Sequence, residues 1–438
     1  MKAILSRAGS TLLTSRALRN TRRAIHAARR RLKGGVPTVY YFHQADDPYS
    51  HVAAQALSAF AARYRIAVVP WVVSPPEDSA APEREMLRAY ALRDAPRLAA
   101  EYGYAFPADA RQPDAELVAF ANGILVAAKV QRSFAALAPL VGRALWTGDA
   151  AALREFAVRY ATAKPDAAAR ELAEGDALRK RLGHYLGAMF YFEGEWYWGV
   201  DRLNHLEERL AAMGLDHAPK GTAPIAPYRD MKLAPRPASG RRPVIDYWFS
   251  FRSPYSWISF PRMVKLARHY DAELRLRFIL PMVMRGLPVP SVKRLYIMLD
   301  TKREAERAGL PFGTVVDPVG AGAARALAVL HHAVKLGKGE AFAELGLRAA
   351  FADGIELASD AGLLDVARRA GIDGTVVKAA LADESWRPVA EANREALFAA
   401  GLWGAPTFRV DGLPAHWGQD RFWALEQDII RVLDGRNS

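Results

Sequence analysis

The chain has 438 residues, 51% of them apolar and 24% charged, no cysteine, and a net charge of +13. Those proportions fit two or three globular domains. They exclude disulfides, thiolate metal sites and cysteine nucleophiles, and no uninterrupted apolar run is long enough to span a bilayer. The charge is unevenly placed: Lys2, Arg7, Arg16, Arg19, Arg22, Arg23, Arg29, Arg30, Arg31 and Lys33 carry ten of the thirteen, and residues 1–34 hold no acid. Three net charges remain for the other 404 residues, which argues against a basic nucleic-acid groove on the body.

The first element is therefore a basic N-terminal tail, residues 1–35. It is rich in Arg, Ser, Thr and Ala and lacks the apolar core of a secretory signal. Two readings stand. One is a tail on a bacterial cytosolic protein, within reach of anionic lipid. The other is a mitochondrial transit peptide on a eukaryotic one. Heavy use of Ala and Arg favours the first, and with it a cytoplasmic location.

A first domain is expected over 36–211. Residues 36–43 read as a short aromatic strand, about Tyr49 to Tyr64 as a helix opened by Pro48, and Ile66 to Val73 as a second strand. Residues 83–181 are Ala-rich with helical spacing of Leu, Val and Phe. A closing strand, the turn Glu193-Gly194, another strand and a last helix complete it. Residues 212–242, with Pro219, Pro224, Pro227, Pro235 and Pro237, read as an extended linker.

The order then repeats over 243–438. An aromatic strand at 243–251 leads to a helix from about Tyr255 to Tyr270 and a strand from Leu274 to Leu280. A helical block at about 301–400 and a closing hairpin at Asp411-Gly412 follow. The strings Asp47-Pro48-Tyr49-Ser50 and Ser253-Pro254-Tyr255-Ser256 lie 206 residues apart, as do Tyr64 and Tyr270. Gly183 to Gly194 aligns without a gap on Gly401 to Gly412, and Trp198-Gly199-Val200-Asp201-Arg202 on Trp417-Gly418-Gln419-Asp420-Arg421. The expectation is a tandem duplication in the α/β class. The halves have matched lengths, which also allows one to dock on the other as a pseudo-dimer.

Three strings narrow the fold: Ser253-Pro254-Tyr255-Ser256-Trp257 after an aromatic strand, Trp403-Gly404-Ala405-Pro406-Thr407-Phe408, and Trp417-Gly418-Gln419-Asp420-Arg421. In this order they resemble the 2-hydroxychromene-2-carboxylate isomerase and kappa-class glutathione transferase family, within the DsbA-like group. The resemblance covers 243–435, and in the first half only the strand–helix start and the closing hairpin. It implies two tandem thioredoxin-like domains, each with a helical insertion. It also implies glutathione as cosubstrate and Ser253 as the catalytic residue that hydrogen-bonds the glutathione sulfur as thiolate. A helix N-terminus suits such an anion, while a serine there is equally suited to capping backbone donors alone.

By the same resemblance Ala405-Pro406 is a cis-proline loop whose backbone pairs with glutathione, with an ordinary trans proline as the alternative. Gln419 and Asp420 match positions that grip the γ-glutamyl end, or else serve the helix dipole. Lys293 lies where a basic residue stands near ligand carboxylates; with Arg294 it also reads as a solvated pair. The implied activity is a glutathione-dependent isomerase of an aromatic-derived unsaturated acid. The alternatives are a kappa-like transferase and a non-catalytic thioredoxin-like binding protein. Disulfide exchange fails for want of cysteine.

The first half departs at each of these places. Asp47 stands for Ser253, Ala188 for Pro406 and Val200 for Gln419, although Asp201 matches Asp420. An anion at that helix start repels a thiolate, so this half reads as a degenerate copy. Other candidates are weak. Gly320-Ala321-Gly322 imitates part of a dinucleotide fingerprint, and His331-His332 lacks a spaced third ligand, so no metal is expected.

Overall fold

The computed structural model describes residues 7–435, which form two compact units. One runs from Asn20 to Arg229; the other joins the residues up to Arg19 to those from Asp230 onward. Among the described residues no helix is long and apolar enough to cross a membrane.

The Asn20–Arg229 unit holds strands β1 (Thr38–His43), β2 (Ala67–Val72), β3 (Met189–Phe192) and β4 (Glu195–Trp198). They form one sheet in the order β2-β1-β3-β4, with β1 and β2 parallel and the other pairs antiparallel. The other unit holds β5 (Val244–Phe249), β6 (Glu273–Phe278), β7 (Thr407–Val410) and β8 (His416–Trp417). Their order, β6-β5-β7-β8, has the same pattern of senses. Register agrees as well. Phe42 pairs with Met189 and Trp248 with Thr407, as the gap-free match of the closing segments requires. It is Tyr41 that takes the place of Tyr247: each hydroxyl donates to the carbonyl nine residues on, Ser50 at 2.9 Å and Ser256 at 3.3 Å.

Between the strands lie the helical blocks, Arg84–Glu101 to Pro165–Leu182 in one unit and Ser291–Arg307 to Trp386–Ala399 in the other. Sequence likeness is weak there, yet one contact recurs in both. Tyr49 donates to Asp94 at 2.9 Å, and Tyr255 to Asp300 at 2.8 Å. Asp300 is fully buried and also accepts from Arg303 at 3.0 Å. Each contact ties the start of the first helix to the helical block. A second recurring contact uses a glutamate of the last helix. Glu207 accepts from the Tyr64 hydroxyl and from the backbone N–H groups of Ile225 and Ala226. Glu426 accepts from the Tyr270 hydroxyl and from the N–H groups of Lys232 and Ala234. The Pro-rich stretch is thus anchored at buried carboxylates, which supply the backbone partners that an extended segment lacks.

One expected helix differs. Over Tyr49–Tyr64 the chain forms two short helices, Pro48–Ala54 and Leu57–Arg63. At the break the Gln55 amide bonds both the carbonyl and the N–H of Ala105, at 2.8 and 3.0 Å. In the other unit the helix Pro254–His269 is continuous although it contains Pro261. Its buried Trp257, Phe260, Met263 and Leu266 pack into the core against the sheet, and burial on this scale outweighs one lost backbone bond.

The basic N-terminal residues form helices Arg7–Leu13 and Arg16–Leu32. In one unit Ser10 is buried and accepts from Val315 N–H at 2.9 Å, while Arg16 and Arg19 pair with Glu306. In the other, Arg23 forms a two-pronged pair with Glu195 and Arg30 pairs with Glu193.

Asp300 is a buried charged acceptor for both Tyr255 and Arg303, and losing such an acceptor costs more than losing one neutral donor. Asp300→Ala should therefore destabilise its unit by about 3–5 kcal/mol, and Tyr255→Phe by only about 1 kcal/mol. Urea unfolding of the two variants checks this; equal losses would show that Arg303 does not depend on Asp300.

Candidate functional site

The strand β5 runs into a tight turn in which Ser253 N–H reaches the Ser250 carbonyl at 3.0 Å. Ser253 is the N-cap of Pro254–His269: its backbone is extended, and its Oγ accepts from Ser256 N–H at 3.1 Å. Pro254 follows at the first helical position, where a missing N–H costs no bond. The Ser253 hydroxyl proton goes elsewhere, to the Ala405 carbonyl at 3.0 Å. The Ala405–Pro406 bond is cis. Pro406 in turn accepts from Gly418 N–H at 3.0 Å, one residue before Gln419 and Asp420. A single hydrogen-bonded strip thus joins the helix start, the cis-proline loop and the short helical turn Gln419–Arg421.

Trp403 and Trp417 close one side, with ring centroids 5.0 Å apart at 61°. Gly404 lies under Trp417; a Cβ built there would fall 2.4 Å from the ring, so the close approach requires glycine. Lys293 Nζ stands 5.6 Å from the Trp403 ring centre. Burial pushes its ammonium down to about 8. Sequence reasoning missed two cations. Arg285 donates to the Trp403 carbonyl at 2.9 Å, and burial, then Arg394 beside it, pushes it down to about 10. Arg252, next to Ser253, makes a two-pronged pair with Asp317 at 2.7 and 2.8 Å. Neither sits in a motif, and both partners are remote in sequence.

Gln419 and Asp420 separate. Gln419 is 2% exposed. Its amide oxygen accepts from Arg262 at 2.6 Å, and its nitrogen donates to Glu304 at 2.8 Å and to Asp420. Asp420 is half-buried beside it. Gln419 therefore faces the interior and braces Asp420 from behind. The structure brings Ser253, Ala405, Pro406 and Asp420 onto one strip, and links Lys293 to it through Trp403.

The corresponding place in the other unit is chemically different. Asp47 caps Pro48–Ala54, accepting from Tyr49 N–H, Ser50 N–H and the Ser50 hydroxyl, the last at 2.7 Å. Ser50 Oγ also accepts from Ala188 N–H at 2.8 Å. Burial pushes the Asp47 carboxyl up to about 6, against the pull of its Ser50 and Tyr49 donors. His51, the residue after Ser50 and 3% exposed, is pushed down by burial to about 4, and its Nδ1 meets no partner. His43 is pushed down to about 3 by burial and by His51, and His184 to about 3 by burial and by Arg179. The hydroxyl proton of Ser50 at this cap is committed to Asp47.

Elsewhere, His332 pairs with Asp383 at 2.7 Å. Among the described residues no group of three or more His, Asp or Glu is placed to hold a metal ion.

A family model for the DsbA-like thioredoxin domain matches residues 244–430. The 2-hydroxychromene-2-carboxylate isomerase of Pseudomonas sp. strain C18 is 24% identical over 194 residues, covering 42% of this chain and 90% of its own. That of Pseudomonas putida is 24% identical over 197 residues, 43% of this chain and 95% of its own. A solved 2-hydroxychromene-2-carboxylate isomerase is similar at 24% identity and a TM-score of 0.38, covering 43% of this chain and 95% of that one. A probable DsbA oxidoreductase from Streptomyces coelicolor follows at 22% and 0.38, covering 45% and 92%. Residues 244–430 form a DsbA-like thioredoxin domain, and the Asn20–Arg229 unit carries a second sheet of similar order.

The buried histidines set an acid response. Between about pH 4.5 and 6 the unfolded chain binds protons on His43, His51 and His184 that the folded unit refuses, while folded Asp47 keeps one that the unfolded chain releases. From these four groups the unfolded state binds about two more protons, which by themselves make stability rise with pH by roughly 2.7 kcal/mol per unit over that window, while the buried Glu207 carboxyl, also pushed up, opposes the rise. His43→Phe should cut the slope to roughly half. Hydrogen exchange of the β1 amides, corrected for intrinsic rates, reads it; an unchanged slope would remove His43 from the account.

Proposed function

We propose that the unit carrying Ser253 is a glutathione-dependent isomerase of an aromatic-derived unsaturated acid, akin in activity to the isomerases it matches. The observation that carries this reading is the Ser253 hydroxyl, held at a helix N-terminus and 3.0 Å from the carbonyl that precedes the cis-proline.

The residues fit glutathione. Ser253 has one hydroxyl proton, and rotation about its Cβ–Oγ bond swings that proton from Ala405 O to a sulfur anion. The exchange trades one neutral hydrogen bond for a charge-assisted one, which is the stronger. The helix N-terminus adds its partial positive charge. The loop Ala405–Pro406 offers backbone to an extended peptide. Asp420, with Gln419 behind it, offers a carboxylate to an α-amino group. Lys293, partly desolvated, offers a cation to a carboxylate of the substrate or of glutathione.

When bound, glutathione supplies a thiolate that adds to and leaves from an unsaturated carbon, so that rotation about the carbon–carbon bond becomes free and no net oxidation occurs. The contribution of the chain is to stabilise the sulfur as an anion by donation from Ser253, the thiol proton leaving to solvent, to anchor the acid at Lys293, and to keep both in register. The half-buried Met282, Val283, Met284 and Leu287 between β6 and the helix Ser291–Arg307 suit an aromatic body. A kappa-like transferase would use the same thiolate, and the product tells them apart: a free isomer against a stable sulfur conjugate.

Calorimetry with glutathione in two buffers of different ionisation enthalpy tests the reading. Wild type should bind at pH 7 with proton release. Ser253→Ala should lose the release and bind about 10–100-fold more weakly, the worth of one hydrogen bond to a charge. No binding at millimolar glutathione would favour a non-catalytic thioredoxin-like binding protein.

A further inference from the structure

From Asn20 onward the helix Arg16–Leu32 belongs to the Asn20–Arg229 unit and presents two different faces there. Arg23 and Arg30 point to the β3–β4 hairpin, on Glu195 and Glu193. His26 lies against Gly194 in the same turn, close enough that a Cβ there would fall 2.7 Å from its Nε2. These side chains are committed to the fold, and their charges are matched by carboxylates.

The other face is exposed. At 100° per residue Leu32, Ile25, Arg29, Arg22 and Lys33 fall within an arc of about 100°, the aliphatic pair on one edge and the three cations on the other. All five are exposed, Leu32 at 88% and Ile25 at 44%. Val36, just beyond the helix, is 62% exposed. The first acid in the sequence is Asp46, so no carboxylate on this helix tempers the stripe.

We infer that this stripe is a docking surface for an anionic lipid bilayer, with Arg22, Arg29 and Lys33 on the headgroups and Ile25 and Leu32 dipping between them. Charge alone would serve a nucleic-acid backbone equally. The aliphatic edge does not: it has no partner along a phosphate backbone, whereas it gains burial at a headgroup boundary. The arrangement is that of a helix lying in the interface plane, held on the protein side by its own ion pairs. Binding would be peripheral and salt-sensitive, since exposed charges are screened. Each cation near an anionic surface contributes about a fivefold gain, so three contribute on the order of a hundredfold.

The test is flotation of the full chain with vesicles of equimolar phosphatidylglycerol and phosphatidylcholine, against pure phosphatidylcholine, at low and physiological salt. Wild type should float with the anionic vesicles only, more at low salt. The triple variant Arg22→Gln/Arg29→Gln/Lys33→Gln should lose about a hundredfold in partitioning. Ile25→Ser/Leu32→Ser should lose binding while keeping its charge, whereas Arg31→Gln, exposed but outside the arc, should lose no more than a single cation's share. All five positions of the arc are on the surface, so circular dichroism should be unchanged. Absence of lipid-dependent flotation at low salt overturns the proposal, and so does a triple variant that floats like wild type. Preferential capture of duplex DNA or RNA through the same three cations overturns it in favour of nucleic acid.

Discussion

A hydroxyl at the start of one helix, 3.0 Å from a carbonyl more than 150 residues on in the chain, fixes the geometry on which the rest of the site depends. The Ser253–Ala405 bond pins the N-terminus of the helix Pro254–His269 to the loop that enters β7. β7 is itself bonded to β5, the strand that delivers Ser253. The loop, the helix and the sheet therefore constrain one another, and neither backbone can shift without straining the β5–β7 ladder, while the hydroxyl proton itself stays free to rotate. Asp300 holds the second residue of that helix through Tyr255, so the helix start is gripped from two sides. This is how a short side chain is preorganised by its own packing.

The two units put opposite chemistry on one framework. Strand order, register, the tyrosine-to-aspartate contact and the buried glutamate of the last helix recur in both. At the helix start the difference is a single residue type. Serine gives a neutral cap with a proton to redirect. Asp47 gives an acceptor that is already saturated by Ser50 and Tyr49. The second arrangement stabilises a helix start; the first can also stabilise another molecule's anion. The framework is common to both units while the chemistry at the helix start is not, so the proposed activity rests on Ser253 and its surroundings rather than on the fold.

Much of the framework was legible because its signals are local. Aromatic strands, Pro48 and Pro254 at helix starts, and Gly194 and Gly412 in hairpin turns each act within a few residues. The Tyr49–Asp94 and Tyr255–Asp300 contacts were not, since each spans 45 residues and a tyrosine in a helix has no pattern that names its partner. The inward turn of Gln419 was hidden for the same reason: its partners Arg262 and Glu304 lie in other elements. Gln55 and Pro261 illustrate the limit of propensity. The good helix former sits at a break and the proline inside a continuous helix, because a tertiary bond to Ala105 and a buried aromatic face decide each case.

The central claim is that Ser253 stabilises a thiolate, and the ionisation of glutathione on the protein measures it directly. Ultraviolet titration of thiolate absorbance should place the bound thiol at least one unit below free glutathione in wild type, which is about 1.4 kcal/mol of preference for the anion. Ser253→Ala should return it most of the way. A bound thiol that ionises as it does in solution, or one whose shift survives Ser253→Ala, would contradict the account and leave Ser253 as a helix cap alone.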